Sequence, residues 1–304
     1  MANKSQMFYS LALLLAALIW GSTFFITKEA TGSLSTAMIL AIRFSVGAAC
    51  IALVCGKSLK LIDRGYLLWG GFLGLITFAS YGVHIFGLEL DTTPGKSAFL
   101  TSIYCVLVPF VYWIFGQNRP DRYNFTAAFL CLAGIGLVSL TEGLSILRGD
   151  VYTLWGGILG AFEIVAVSIA CRGRDPLLLT GLQLAVVAVL AWILVVLTNA
   201  WPAVYVMADL WGIIYLGLFA TAGCLGLQSI GLKYTDPSSA AIILSLEAVF
   251  GVIFSVIFYH EVVSGQMLIG FSLIFAAVII SETKLKFLKR RKNRALRQDI
   301  HKFS

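Results

Sequence analysis

The sequence predicts an all-α integral membrane protein of ten transmembrane helices, arranged as two inverted five-helix repeats with both termini cytoplasmic. Three observations predict it: the composition, the spacing of the apolar segments, and a self-similarity at an offset of 143 residues. Of the 304 residues, 59% are hydrophobic and 12% charged, against roughly 45–50% and about 25% in soluble domains. Water would not solvate such a surface, whereas a bilayer does. One span takes about 20 apolar residues, so a chain of this length has room for about ten helices and no sizeable soluble domain.

The apolar segments fall at 7–27, 34–55, 66–88, 95–115 and 124–140, then at 151–171, 177–198, 209–232, 238–259 and 266–283. The first follows Lys4 and so imitates a secretory leader, but its apolar run passes Trp20 to Ile26 and further spans follow at once, which predicts a retained span. The second carries Arg43. The third carries Gly70-xxx-Gly74, Tyr81 and His84, and ends at Glu89 and Asp91. The fourth starts after Pro94 and contains Pro109, where a kink is expected. The sixth holds Gly156-xxx-Gly160 and Glu163, the seventh follows Pro176 and holds Gln183, the eighth holds Gln228, and the ninth follows Pro237 and holds Glu247. Both GxxxG pairs permit close helix approach. Segment length and the absence of strict alternation favour helices over a barrel.

Orientation follows from the basic residues, because short loops rich in Lys and Arg stay in the cytoplasm. With the N-terminus inside, 18 of the 22 lie on the cytoplasmic side and three, Lys28, Lys96 and Arg148, on the outer side; Arg43 lies within a span. Without the tail after 283 the balance is still nine against three. The net charge of +7 therefore reads as topology and not as nucleic-acid binding. The tail 284–304, KLKFLKRRKNRALRQDIHKFS, is expected on the anionic inner leaflet. Trp69, Trp113, Trp155, Trp201 and Trp211 lie near span ends and suit the headgroup level.

An offset of 143 places Thr92 on Thr235, Pro94 on Pro237, Ala98 on Ala241, Ser102 on Ser245 and Val106 on Val249. It also places Tyr9 on Tyr152, Leu11 on Leu154, Gly74 on Gly217 and Ala79 on Ala222. Two repeats result, 1–143 and 144–283. Each holds five spans, an odd number, so the second enters the membrane in the opposite sense. Inverted halves either exchange conformations around a central site, which is the architecture of secondary transporters, or pack as a merely duplicated scaffold, and the first is the natural reading.

Three ionisable side chains lie near span centres: Arg43, Glu163 and Glu247. Unpaired in lipid they would cost roughly 8–10 kcal/mol together, so they face a protein interior or a wet cavity. The offset lays them on Val186, Trp20 and Tyr104, so the charges are not duplicated. Either Arg43 pairs with Glu247 or Glu163 as a structural lock, or the guanidinium holds an anionic group of a solute while a carboxylate binds an ammonium or a proton. His84 reads as a proton relay or as a helix-packing residue. Gln183 and Gln228 either bridge helices or contact a solute. Trp20, Tyr81 and Tyr104 lie deep enough to wall an aromatic or apolar site, or to serve as core. The six cysteines show no metal-ligand spacing and read as packing residues. No cofactor or metal is implied, and no GxxxxGK[ST] motif is present to hold ATP phosphates.

Four phrases now point to a family: LIWGSTF at 18–24, AIRF at 41–44, TPGKSAFLTSIYCVLVPF at 93–110, and SSAAIILSLEAVF at 238–250 followed by YHE at 259–261. Over nearly its whole length except the tail, the chain resembles the EamA-type branch of the drug/metabolite transporter superfamily. The resemblance implies alternating access around a cavity lined by both halves, and export or exchange of small organic metabolites, often amino acids. By position, Trp20, Arg43, Ser102, Ser245 and Glu247 match places where the family pattern is recognisable. Glu163 departs from it, since many relatives carry an aromatic or small residue there, and SLEAVF lacks a proline common after the Glu.

The expectation is a multi-pass transporter of the cell (inner) membrane for a small zwitterion or carboxylate, with Arg43 as anion contact and Glu163 or Glu247 as cation or proton contact. Trp20, Tyr81, His84, Tyr104, Gln183, Gln228, Ser102 and Ser245 complete the candidate site. Its partners are the solute, protons and membrane lipids. The rival readings are a passive pore, efflux of cationic drugs, and an intramembrane enzyme. The last lacks a catalytic constellation, since the three histidines, 84, 260 and 301, stand beside no plausible nucleophile or metal set.

Overall fold

A computed structural model describes residues 2–116, 119–139, 147–203, 206–234 and 243–283. Among them every regular element is helical. In chain order these are α1 (Ala2–Ala30), α2 (Thr36–Cys55), α3 (Arg64–Leu90), α4 (Pro94–Thr101), α5 (Ile103–Ile114), α6 (Arg122–Ser139), α7 (Arg148–Ala170) and α8 (Pro176–Thr198). There follow α9 (Met207–Tyr215), a π-helical stretch Leu216–Gly223, α10 (Cys224–Tyr234), α11 (Leu246–Phe258) and α12 (Gly265–Thr283). Seven helical stretches are long and apolar enough to cross a membrane; α4 with α5 counts as one, as does the run from Met207 to Gly231. Arg122–Val138, Leu246–Phe258 and Gly265–Ile280 are shorter apolar helices at the places of the expected fifth, ninth and tenth spans. The basic tail and the expected repeat partners Thr235, Pro237 and Ala241 lie outside the described residues.

The helix starts follow from local chemistry. Ser35 caps α2 by accepting from the Met38 amide at 3.3 Å, and Asp63 caps α3 from Tyr66 at 2.8 Å. Asp175 caps α8 by accepting from Leu177 and Leu178, with Pro176 in the first turn. The cap of α4 is remote: Glu261, in the connection after α11, accepts from the Gly95 amide at 2.8 Å and from the Thr93 hydroxyl. A carboxylate at a helix N-terminus is favoured by the unpaired amides and by the helix dipole.

The fourth span is interrupted at Ser102, whereas the sequence points to Pro109, which lies inside α5. Thr101 Oγ1 donates to the carbonyl of Ser97 at 2.6 Å and Ser102 Oγ to that of Ala98 at 2.9 Å. These hydroxyls compete with the backbone for the preceding turn, and the Ser102 amide bonds Phe99 O in a tightened turn. At Ser245, residues 243 and 244 are helical, the chain turns, and α11 begins. There the Ala248 amide bonds Ser245 O at 3.2 Å, as the Cys105 amide bonds Ser102 O at 3.1 Å.

Packing interleaves the two halves of the chain. α3 runs along α7 and α8, α2 along α8, α6 along α12, and α11 against α1 and α4. One core combines Leu13, Met38 and Phe44 with Leu184, Ile213 and Leu225. Another combines Leu100, Val106 and Cys131 with Ala248, Phe271 and Ile274, and there Phe99 stacks on Phe271 at 4.3 Å. Gly70 and Gly74 do bring helices together: a Cβ on either would lie 2.5 Å from Leu182 or Val186 of α8. Outward, Leu53, Leu68, Phe129 and Leu197 are more than two-thirds exposed, an apolar surface suited to acyl chains and not to water.

Lys96, which the sequence reading counts as an outer-side cation, is buried in α4 and forms an ion pair with Asp150 of α7 at 2.6 Å. Thr92 donates to the same carboxylate at 3.0 Å. Lys96 therefore packs the end of α4 onto α7 and offers no charge to solvent.

Candidate functional site

Where α1, α2, α3, α7 and α10 meet the breaks at Ser102 and Ser245, a cavity of about 120 Å³ remains. Its walls include Trp20, Phe24, Arg43, Tyr81, His84, Tyr104, Glu163, Gln228 and Glu247. The three ionisable residues, isolated in the sequence, thus face one space.

Arg43 is 3% exposed. Its Nε donates to Thr221 Oγ1 at 2.7 Å, and its guanidinium carbon lies 5.0 Å from the Tyr81 ring centroid and 5.8 Å from that of Phe44. Phe44 meets Tyr81 edge-on at 5.2 Å and backs the pair. Aromatic faces attract the cation without neutralising it. Guanidinium offers five N–H donors; no described residue bonds its two terminal nitrogens, and the group borders the cavity. Of the two readings open for Arg43, the structural lock is not formed: among the described residues Arg43 makes no ion pair with Glu163 or Glu247. Each of the three is instead held by neutral partners.

Glu163 Oε1 accepts from Thr77 Oγ1 at 2.9 Å and from Gln183 Nε2 at 2.8 Å. Gln183 also donates to Thr77 Oγ1 at 2.6 Å. Gln183 therefore stands behind the wall and orients the carboxylate, a place the sequence does not distinguish from lining. Glu247 Oε1 accepts from Tyr104 OH at 2.7 Å. In both glutamates the second oxygen bonds no described residue and is left for the cavity. Trp20 Nε1 donates to the Ala220 carbonyl in the π-helical stretch at 2.8 Å, so its ring is fixed as a wall. His84 Nε2 shares a hydrogen bond with Ser97 Oγ at 2.9 Å and meets Phe24 edge-on at 5.6 Å. Gln228 lines the cavity, while Ser102 and Ser245 lie at the helix breaks and outside its lining.

Two of these contacts are the same contact made twice. Glu163 lies 143 residues after Trp20, and Ala220 lies 143 after Thr77. Tyr104 and Glu247, bonded to each other, are themselves 143 apart. Sequence reasoning missed Thr77, Thr221, Ser80 and Thr101, hydroxyls dispersed in apolar runs whose one visible signal was polarity. It also missed Phe24 and the bare wall at Gly156, Gly157 and Gly160.

The chemistry on offer is a fixed cation, two carboxylate oxygens and four aromatic walls, all within a space sized for a small organic molecule. A model of the EamA-like transporter family matches this chain twice, over residues 7–140 and 147–283. An uncharacterized transporter of Archaeoglobus fulgidus is 32% identical over 276 residues, 90% of this chain and 86% of that protein. Protein PecM of Dickeya dadantii is 25% identical over 292 residues, 93% of this chain and 95% of that protein. A crystal structure sharing 20% identity superposes with a TM-score of 0.69, covering 93% of this chain and 99% of that one, which extends the likeness to the fold. With a family match across both halves, the chain belongs to the EamA-like transporter family and is a multi-pass membrane transporter of the cell membrane.

Proposed function

We propose that the protein moves a small zwitterionic or carboxylate-bearing metabolite, with amino acids favoured, by alternating access in export or exchange. The observation that carries this reading is that Arg43, Glu163 and Glu247 border one buried cavity without pairing with each other. In a low-dielectric site the unpaired charges are expensive, and a solute carrying both signs relieves that cost. Its carboxylate meets the guanidinium fork and its ammonium meets the free oxygens of Glu163 or Glu247. Protons are the second partner proposed for those carboxylates.

The machine we infer has ten spans in two inverted repeats, 1–143 and 144–283, with 284–304 as a basic tail on the inner leaflet and both termini cytoplasmic. Hydrogen bonds support the alternation of ends. Thr36 bonds Glu89, Ser33 bonds Asp209, Gly149 bonds Asp91 and Thr93 bonds Glu261, which gathers the connections near 31–35, 91–93, 147, 199–203 and 259–264 at one end. At the other, Tyr66 OH accepts from the Asp175 amide at 2.8 Å and Arg174 lies over Trp69. The recurrence of contacts at the 143-residue offset supports a two-fold relation, with Tyr104 and Glu247 meeting at its axis.

The test is reconstitution into liposomes preloaded with amino acids, nucleosides, carboxylates or amines, with counterflow read at two pH values. Saturable exchange of amino acids, lost in Arg43→Ala and Glu163→Gln while both stay monodisperse, is expected. Flux without saturation or counterflow would indicate a pore, and exchange restricted to amines would indicate efflux of cations. A pH dependence that vanishes in Glu247→Gln would assign the titrating group.

A further inference from the structure

A second concavity, independent of the solute site, lies on the surface between α2, α3 and α8 and measures about 510 Å³. Leu40, Phe78, Val83, Phe86 and Leu194 wall it. Its floor stays open at Gly82, where a Cβ would meet only Leu40 Cδ1, at 3.9 Å. Thr36, Thr198 and Glu89 form a polar rim at one end. Glu89 is exposed; its Oε2 accepts from the Thr36 amide at 3.0 Å and from the Thr36 hydroxyl. Among the described residues it has no cationic partner.

Depth and charge identify the occupant. All three helices are apolar and long enough to cross a bilayer, so the groove faces lipid. From Phe78 to Glu89 along α3 is about 16 Å at 1.5 Å per residue, close to half of the ~30 Å hydrocarbon core. The slot is one leaflet deep, apolar along its length and acidic at the headgroup level. We propose that it binds an acyl chain of a phospholipid whose headgroup carries an ammonium, with that ammonium on Glu89. Leu40 and Phe78 each stand one helical turn from Arg43 and Tyr81, so the lipid packs behind the helices that present the cation and its aromatic cover.

The full chain, purified and stripped of lipid in detergent, is incubated with palmitoyl-oleoyl phosphatidylethanolamine or the matching phosphatidylglycerol and examined by native mass spectrometry. One retained phosphatidylethanolamine is expected, favoured about fivefold over phosphatidylglycerol, the ratio that one surface charge supplies. Glu89→Gln should erase that preference and keep the adduct, whereas Gly82→Phe, or Ala79→Leu if the first is not monodisperse, should remove the adduct with either lipid. Equal retention of the two lipids by the unmodified protein would overturn the proposal. So would adducts that survive both fillers, or a dimer that the fillers disperse, which would assign the groove to a second copy.

Discussion

Arg43 shows how much a single buried cation can demand. At a helix centre it costs about 2.5–3.5 kcal/mol on insertion scales, and here one neutral hydrogen bond and two ring faces hold it. Lysine would keep the charge and lose the planar fork. Arg43→Lys should therefore lower carboxylate counterflow at least about tenfold, the loss of one good charge-assisted contact, while the protein stays monodisperse; an unchanged rate would remove the anion-binding role. Gln183 acts through Glu163. Deleting a hydrogen bond to a charged group costs about 1.5–3 kcal/mol, so Gln183→Leu should raise the solute KM about tenfold or more with little change in maximal rate. A fall in maximal rate and melting temperature together would make the residue merely structural. All three charges were visible in the sequence as interruptions of apolar runs. Their partners were not, because Thr77 and Thr221 look like any hydroxyl in a membrane helix.

At the scale of elements, α4 is held from two sides. Glu261 caps its N-terminus and Asp150 pairs with its Lys96. Removing one member of a buried pair strands the other, at about 3–5 kcal/mol, whereas replacing both with apolar groups is often neutral. Lys96→Met should thus lower the detergent melting temperature sharply, and Lys96→Met with Asp150→Leu should restore most of it. If the double variant were as unstable as the single, the pair would have a further role. The break at Ser102 is a matter of hydroxyl competition, so replacing Ser102, which lies outside the cavity lining, with Ala should relax the fourth span toward a straight helix. Slower exchange with unchanged solute affinity, measured by counterflow, is expected if that break is a hinge. The sequence pointed to Pro109 instead, since a proline is a conspicuous breaker and a Thr-Ser pair is not.

Across the whole molecule, the halves of the chain do not form separate bodies. α1–α3 share a core with α8–α10, and α4–α6 with α11 and α12, while α7, packed on α3, meets α4 and α5, and α11 meets α1, along the seam between these sets. Under the proposed mechanism the units that rock are these mixed sets. The proposed topology places positions 3 and 304 on one side, and 33 and 203 on the other. In a cysteine-free background, Asn3→Cys and Ser304→Cys should react only after permeabilisation, and Ser33→Cys and Ala203→Cys without it; chain ends on opposite sides would end the inverted-repeat reading.

Hydropathy and charge, both local properties of the chain, were enough to establish a helical membrane protein, the order of its apolar segments and the residues too polar to face lipid. Pairing is a non-local property. Whether Arg43 met a glutamate or a threonine, whether Lys96 lay in water or against Asp150, and whether Gln183 lined the cavity or steadied its wall depended on distances between helices far apart in sequence. Lipid-facing and helix-facing apolar residues carry the same hydrophobicity, so only the packed structure could decide those distances.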